Sequence, residues 1–445
     1  MSSAAGPGAG VGDVAVPGPD RTSVVPFLQL EAATVLSGAG NGAALVVLPW
    51  LVLERTGDPA DAGLLAAATA LPLLASSLFS GALVDRVGRR RTSVGSDLCS
   101  AVSVSAIPIV AATIGLQLPL LIALAVLGAV FDPAGVTARE SMLPAAAARS
   151  GWRLQRVNGV HEALWGVAFL IGPGIGGLLI AAVGAISALW FTAAAFVTSA
   201  AVVATIRLSN DDIRPHPDDV EPVWQSIRTG FRYVWQDRLL RTLLLVVGAL
   251  VSVYMPIEAV LLPVEFESQG APGRLGLLVT MISAGWVLGA LAYAWRGHRL
   301  RRSLLFRGAL LATAAALGVL AATDSYPVMV AAGFALGFGY GPVGPILNLA
   351  LQTRSPEHLR GRVVGLASSA EYAAGPLGYL LAGLAVERLG VTPTFVLLAV
   401  LVGAVGLITL VLRPLGDLDG LPDEPAEHPI TDATLDHGAG PLPFH

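Results

Sequence analysis

The sequence predicts an all-α membrane protein: twelve transmembrane helices in two six-helix halves, with both termini cytoplasmic. Three observations carry that reading. The chain is poor in charge, its apolar stretches recur at membrane-spanning length, and its arginines alternate in a fixed pattern along it. Of 445 residues, 54% are hydrophobic and only 13% are charged, and the mean hydropathy is +0.70. Soluble domains carry about 25% charged residues. A chain of this length and composition cannot cover a soluble globule with polar surface, so a lipid bilayer is its implied solvent.

A helix that crosses about 30 Å of hydrocarbon needs about 20 mainly apolar residues. Twelve stretches meet that length: 24–53, 60–84, 92–115, 118–144, 157–182 and 185–207, then 239–266, 273–295, 304–323, 326–353, 362–386 and 392–413. Arginine settles their orientation. The chain has no lysine, so all 27 basic residues are arginine. Of these, 23 fall in the segments that become cytoplasmic when both ends are inside. Only Arg55, Arg274 and Arg388 fall in the outer loops, and Arg139 lies within a span. Basic residues concentrate in short cytoplasmic loops. Losing or merging one span would scatter them to both sides.

The remaining segments are polar. Residues 1–23 are Gly/Ala/Pro-rich, lack the basic start of a signal peptide, and read as a disordered cytoplasmic tail. Residues 208–238 read as a cytoplasmic linker. It opens with Asp211, Asp212, Asp218, Asp219 and Glu221 and closes with an amphipathic helix. There Trp224, Ile227, Phe231, Val234 and Trp235 share one face, and Arg228 and Arg232 lie on another. That pattern fits a helix in the inner headgroup layer. The acidic, Pro/Gly-rich segment 414–445 reads as a second disordered tail.

Several function classes drop out. The net charge is −4 and no basic stretch is interleaved with aromatics, so nucleic acid is not an expected partner. Cys99 is the single cysteine, and the histidines have no ligand spacing, so neither a disulfide nor a metal site is expected. No phosphate-binding loop and no nucleophile elbow is present. The chain is therefore not expected to be an enzyme, and no cofactor is implied.

The most informative motif is the turn between the second and third spans, Gly81-Ala82-Leu83-Val84-Asp85-Arg86-Val87-Gly88-Arg89-Arg90-Arg91. Its glycines allow close helix approach, and its arginines mark the cytoplasmic side. The positive-inside rule does not require the acid, Asp85. The fifth span holds Gly159-x8-Ala168-x3-Gly172-Pro173-x2-Gly176-Gly177. Small residues about every four positions make a groove for another helix, and Pro173 removes a backbone hydrogen bond.

These two motifs, with Gly230-Phe231-Arg232-Tyr233-Val234-Trp235 before the seventh span, resemble the major facilitator superfamily over about residues 24–413. Within it they resemble twelve-span drug:proton antiporters of the macrolide-efflux and enterobactin-exporter type. The resemblance implies a cytoplasmic gate formed by Gly81, Asp85, Arg86, Gly88, Arg89 and Arg90, with Arg139 and Glu140 at the inner end of the fourth helix. It also implies an antiporter motif at Gly159, Ala168, Gly172, Pro173, Gly176 and Gly177, where Ala168 replaces the usual Gly. An internal match supports a duplicated core. At an offset of 206–208, Gly81-Ala82-Leu83 corresponds to Gly289-Ala290-Leu291, and Arg156-Val157-x-Gly159 to Arg362-Val363-x-Gly365. The second copy has Tyr293 in place of Asp85.

Carboxylates inside a membrane are costly and mark ion or substrate paths. At about 1.5 Å per residue, Asp132 and Glu371 fall near the midplane. Glu31 falls nearer the inner surface and Glu258 nearer the outer. These four, with Asn41, are the candidate proton-coupling or substrate-cavity residues. Asp97, His161 and Glu162 are expected at the membrane interface. The expected function is proton-coupled export of a hydrophobic small molecule, such as a drug, antibiotic or secondary metabolite, by a monomer in a bacterial inner (cytoplasmic) membrane. A siderophore exporter, an importer of the same fold and a non-transporting receptor are the alternatives.

Overall fold

Helices begin and end where the local chemistry requires. Asp58 opens one by accepting the Ala60 amide at 2.8 Å, and Asp237 opens another by accepting the Leu240 amide at 3.0 Å; such caps satisfy orphan amides of the first turn. Gly88 (φ 97°) and Gly184 (φ 81°) turn the chain between consecutive helices, in a backbone region that favours glycine. The computed structural model describes residues 22–208 and 223–422. Within that range the side chains of residues 77–78, 81–82, 85, 154–155, 223–227, 298, 357–358, 360–362, 365, 368 and 372 are not described.

The first group of helices is α1 (Val25–Thr56), α2 (Pro59–Val87), α3 (Arg89–Thr113), α4 (Leu118–Ser150), α5 (Leu154–Val183) and α6 (Ala185–Thr205). Next comes the amphipathic α7 (Val223–Gln236). The second group starts with α8 (Arg238–Pro256), a π turn (Ile257–Leu261) and α9 (Leu262–Ser268), which together form one continuous stretch. It continues with α10 (Pro272–Arg296), α11 (Arg302–Ala322), α12 (Tyr326–Tyr340), α13 (Val343–Arg354), α14 (Glu357–Leu389) and α15 (Val391–Val411). Among the described residues there is no β-strand, and eleven stretches are long and apolar enough to cross a membrane.

In the first group α1 packs on α5 and α6, α3 on α4 and α6, and α2 on α4. In the second, α10 packs on α12, α11 on α12 and α15, and α14 on α8. The two most extensive crossings between the groups are α2 with α14 and α5 with α10. Both rest on glycine. A Cβ on Gly177 would lie 2.5 Å from the Pro272 carbonyl oxygen and 2.8 Å from Gly276 Cα. One on Gly63 would lie 2.5 Å from the Tyr379 carbonyl oxygen and 3.1 Å from Gly383 Cα. All four glycines sit toward the helix ends opposite the arginine cluster of Arg89–Arg91.

The chain after α15 departs from its expected disorder. Residues Arg413–Gly420 form a 3-10 segment, with Leu415, Leu418 and Leu421 buried. Asp419 holds it in place, accepting from the Ser303 amide at 2.9 Å, the Ser303 hydroxyl at 2.7 Å and Arg301 Nε at 3.1 Å. Three leucines three residues apart supply an apolar edge that the acidic composition hid. Partial burial pushes Asp419 up, but the Ser303 and Arg301 hydrogen bonds outweigh it and hold its carboxyl below the usual carboxylate range. Residues 1–21, 209–222 and 423–445, with the tail and linker expectations that fall on them, lie outside the described residues.

Candidate functional site

A cavity in two lobes lies between the helix groups. The larger lobe, about 520 Å³, is lined mainly by the second group. The smaller, about 310 Å³, is lined mainly by the first. Leu45, Phe169, Ala259 and Tyr379 border both lobes.

The larger lobe is apolar and aromatic around two acids. The π turn that follows Pro256 carries Glu258, and Tyr254, one turn earlier, donates its hydroxyl to Glu258 Oε1 at 3.2 Å. Such turns are rare and recur at functional sites. Tyr254 stacks on Tyr340 of α12 with centroids 4.6 Å apart and planes 15° apart. Trp286, Asn348 and Glu371 also face this space, and among the described residues no arginine or histidine lines it. An aromatic wall with carboxylates and no cation attracts a positive charge or a proton.

The smaller lobe contains the other midplane acid. Asn41 of α1 donates from Nδ2 to Asp132 Oδ1 of α4 at 2.8 Å, and both side chains line the lobe. The structure thus gathers four of the five expected cavity residues: Asn41 and Asp132 in one lobe, Glu258 and Glu371 in the other.

Glu31 does not join them. It is buried between α1 and α5, and His161 Nδ1 lies 3.0 and 3.2 Å from its two oxygens. His161, expected at the membrane interface, is buried among the helices, 6% exposed. Asp97 is buried in the same way. It is 2% exposed and receives Arg139 Nη1 at 3.2 Å on each oxygen. Ser199 Oγ of α6 lies 2.6 Å from Asp97 Oδ2. Ser37 of α1 donates to Asp97 Oδ1 at 3.2 Å and accepts from Arg139 Nη2 at 3.2 Å. One ion pair therefore ties α1, α3, α4 and α6 together. Arg139, expected with Glu140 at the inner end of the fourth helix, has Asp97 as its partner, because a buried guanidinium must find a carboxylate.

The loop itself is partly described. Arg86 and Arg91 are exposed, Arg89 is half-buried, and Arg90 Nη1 donates to the Ile206 carbonyl at 3.3 Å. Glu140 is exposed. Gly81 and the side chain of Asp85, with their expected gate role, lie outside the described residues.

The antiporter-type motif has two partners. Ala168, Gly172 and Gly176 face α1. A Cβ on Gly38 would lie 2.9 Å from Ala168 Cβ, one on Gly42 3.0 Å from Gly172 Cα, and one on Gly176 2.8 Å from the Ala43 carbonyl. Gly177 faces α10 across the group boundary, and Pro173 lines the larger lobe. Gly159 has nothing within 4 Å of an added Cβ. A serine ladder escaped the sequence reading. Ser96, Ser100 and Ser103 of α3 donate to the carbonyls of Phe131 (2.5 Å), Gly128 (3.3 Å) and Leu124 of α4. Its signal was the i, i+4, i+7 spacing.

Comparison with known proteins agrees with this architecture. Residues 30–378 and 259–439 match the Major Facilitator Superfamily. The chain is 42% identical to "Multidrug efflux pump Tap" of Mycolicibacterium fortuitum, over 88% of this chain and 97% of that protein. It is 41% identical to the protein of that name from Mycobacterium tuberculosis, over 92% and 98%. "Macrolide efflux protein A" of Streptococcus pyogenes is 24% identical, over 88% and 97%. Among solved structures, a mutant of the nucleoside transporter NupG superposes with a TM-score of 0.76 at 11% identity, covering 87% of this chain and all of that one. A bacterial homologue of the lysosomal transporter Spinster, in an inward-facing conformation, superposes with a TM-score of 0.65 at 14% identity, covering 90% and 98%.

Proposed function

The chain belongs to the Major Facilitator Superfamily, and on that premise we propose that it is a proton-coupled exporter of hydrophobic small molecules, working by alternating access. The observation that carries this reading is the cavity between the two helix groups, with aromatic walls, two acids and, among the described residues, no base in its larger lobe. Relatives named multidrug efflux pumps support drug export. The chain forms twelve spans, α14 included, with α8, π turn and α9 as one span and α12–α13 as another. Both termini face the cytoplasm, a reading the arginine distribution supports, and the membrane is a bacterial inner membrane.

In that orientation the Gly177–Gly276 and Gly63–Gly383 crossings lie on the outer side and seal it, so the cavity faces the cytoplasm. The two groups are the two rocking halves. Substrate enters the larger lobe from inside, and Asp132 takes up the proton from outside once the halves have rocked. The loop from Gly81 to Arg91, with Asp85 at its centre, closes the cytoplasmic side in the opposite state.

The test is flux. Ethidium, an apolar aromatic cation, is the probe in proteoliposomes with an imposed pH gradient. An antiporter accumulates it against the proton flow. The variant Asp132→Asn is expected to bind ethidium and to lose gradient-driven accumulation. Unchanged accumulation in that variant removes Asp132 from the mechanism, and gradient-independent flux in the wild type removes proton coupling.

A further inference from the structure

The contacts between α1 and α5 follow one register. Glu31 meets His161, Gly38 meets Ala168, and Gly42 meets Gly172. Each pair is separated by the same 130 residues. The two helices therefore run parallel and in step, and their seam has two kinds of rung. The upper rungs are glycine and alanine: a Cβ on Gly38 would lie 2.9 Å from Ala168 Cβ, and one on Gly42 3.0 Å from Gly172 Cα. The lowest rung, seven residues below the first of these, is an acid and an imidazole.

We infer that Glu31 and His161 form a proton-binding site separate from the cavity acids, and that its occupancy sets how tightly α5 seats on α1. Neither residue lines either lobe of the cavity. Of the two buried charge pairs among the described residues of the first group, Arg139–Asp97 cannot serve, since a guanidinium stays protonated at any relevant pH. Histidine changes charge near neutrality. Among the described residues, the hydrogen bonds between α1 and α5 side chains at this level are those of this pair.

The proton balance is simple. In the protonated site, imidazolium Nδ1–H donates to the Glu31 carboxylate and the pair is neutral overall. Loss of the Nε2 proton to water leaves a neutral imidazole. Its Nδ1–H still donates to Glu31, but the site now carries one net negative charge. A buried charge without a counter-charge is costly, so the deprotonated site favours separation of the two helix ends and entry of water. The glycine and alanine rungs above are packed too closely to take up the change, so α5 shifts as a unit. That helix also carries Gly177 at the crossing to α10. Proton release is thereby linked to the crossing between the halves.

The charged groups around the pair come from the neighbouring helices. Glu140 of α4 and Glu162 of α5 act on His161 directly. Arg139 of α4 and Asp97 of α3 form the next layer and neutralise each other at 3.2 Å. The α6 helix contributes no charged residue. On α2 and α10, charged residues stand only near the helix ends: Asp61, Asp85 and Arg86, and Arg274 and Arg296.

This inference rests on the proton-coupled reading, but its test needs no substrate, so the two fail separately. Amide hydrogen exchange is measured on the full chain in lipid nanodiscs from pH 5 to 9, corrected for intrinsic exchange. Wild type is expected to show a step of falling protection in peptides covering 25–38 and 154–168. His161→Gln is expected to lose that step. Glu31→Gln is expected to move its midpoint, and this second variant decides the matter if His161→Gln does not fold. No step in the wild type, the same step in His161→Gln, or an unmoved midpoint in Glu31→Gln overturns the inference.

Discussion

Replacing Arg139 with Met isolates the ion pair that ties four helices together. The change removes a guanidinium that is 1% exposed and leaves a carboxylate that is 2% exposed. Lost with it are the two 3.2 Å contacts from Nη1 to Asp97 and the 3.2 Å contact from Nη2 to Ser37. Breaking a buried pair in this way costs about 3–5 kcal/mol. Asp97 keeps the Ser199 hydroxyl at 2.6 Å and the Ser37 hydroxyl at 3.2 Å, and hydrogen bonds to a charged group contribute about 1.5–3 kcal/mol each. The expected loss is therefore at the low end, about 3 kcal/mol. Asp97→Leu alone strands the arginine and is expected to cost about as much or more. The double variant strands neither charge. Ser199 still has the Ala33 carbonyl at 3.0 Å, and the pair is expected to recover to within about 1 kcal/mol of wild type. Unfolding free energies in mixed micelles at graded SDS concentrations complete the double-mutant cycle. Additive single costs, or an Arg139→Met loss below about 1 kcal/mol, would refute the argument that this pair is a compensated buried charge.

Three further outcomes follow from other parts of the molecule. Gly177→Leu puts a side chain where a Cβ already lies 2.5 Å from the Pro272 carbonyl; it is expected to hold the α5–α10 crossing open, read as raised alkylation of single cysteines at that end in a Cys99→Ser background. Gly248→Leu, with nothing within 4 Å, is the control and should leave alkylation unchanged. Glu258→Gln keeps the shape of the larger lobe and removes one of its charges; ethidium affinity, measured by fluorescence, is expected to fall about tenfold, the loss of ~1.4 kcal/mol. Asp419 is held below the usual carboxylate range by Ser303 and Arg301, so it stabilises the 3-10 segment fully above the ordinary value near 3.9. That contribution is lost as pH falls through the lowered value. Asp419→Asn should abolish this acid loosening of residues 413–421 in hydrogen exchange, and a variant that loosens like wild type counts against the latch.

The sequence made the helices legible because lipid imposes a simple rule on length and apolarity. Arginine placement and the Gly/Pro motif then marked loops and a packing helix. The cavity acids were legible for the same reason: a carboxylate such as Asp132 or Glu258 in an apolar run has few roles. What sequence reasoning missed was partnership. Depth along a helix placed Asp97 and His161 at the interface, but depth says nothing of which face a residue takes. Asp97 points at Arg139, 42 residues away, and His161 at Glu31, 130 residues away. The aromatic stack of Tyr254 and Tyr340 was invisible for the same reason. The segment after Arg413 was misjudged because composition averages over residues, while docking needed only three leucines and one well-placed aspartate.

The two helix groups differ in what they bury, and that difference bears on how the proposed exporter would couple drug to proton. The first buries charge: Arg139 with Asp97 and Glu31 with His161, with Asp132 facing the smaller lobe. The second presents aromatic rings around Glu258 and Glu371, with π-turn backbone at Glu258. A duplicated architecture has no need of such asymmetry, since either half could carry both. Separation has a physical advantage. A drug seated against Tyr254 and Tyr340 need not displace the proton directly, because the groups that can bind protons in the first half lie beyond Leu45 and Phe169. Coupling must then pass through helix position rather than through competition at one carboxylate. The α5 helix is placed for that role, since it touches α1 through Ala168 and Gly172, α10 through Gly177, and the larger lobe through Phe169 and Pro173. A substituent at Gly172, where a Cβ would meet Gly42 Cα at 2.8 Å, should therefore uncouple proton movement from drug movement while both binding sites stay intact. Equal loss of ethidium binding and of transport in Gly172→Val would instead place both cargoes at a single site.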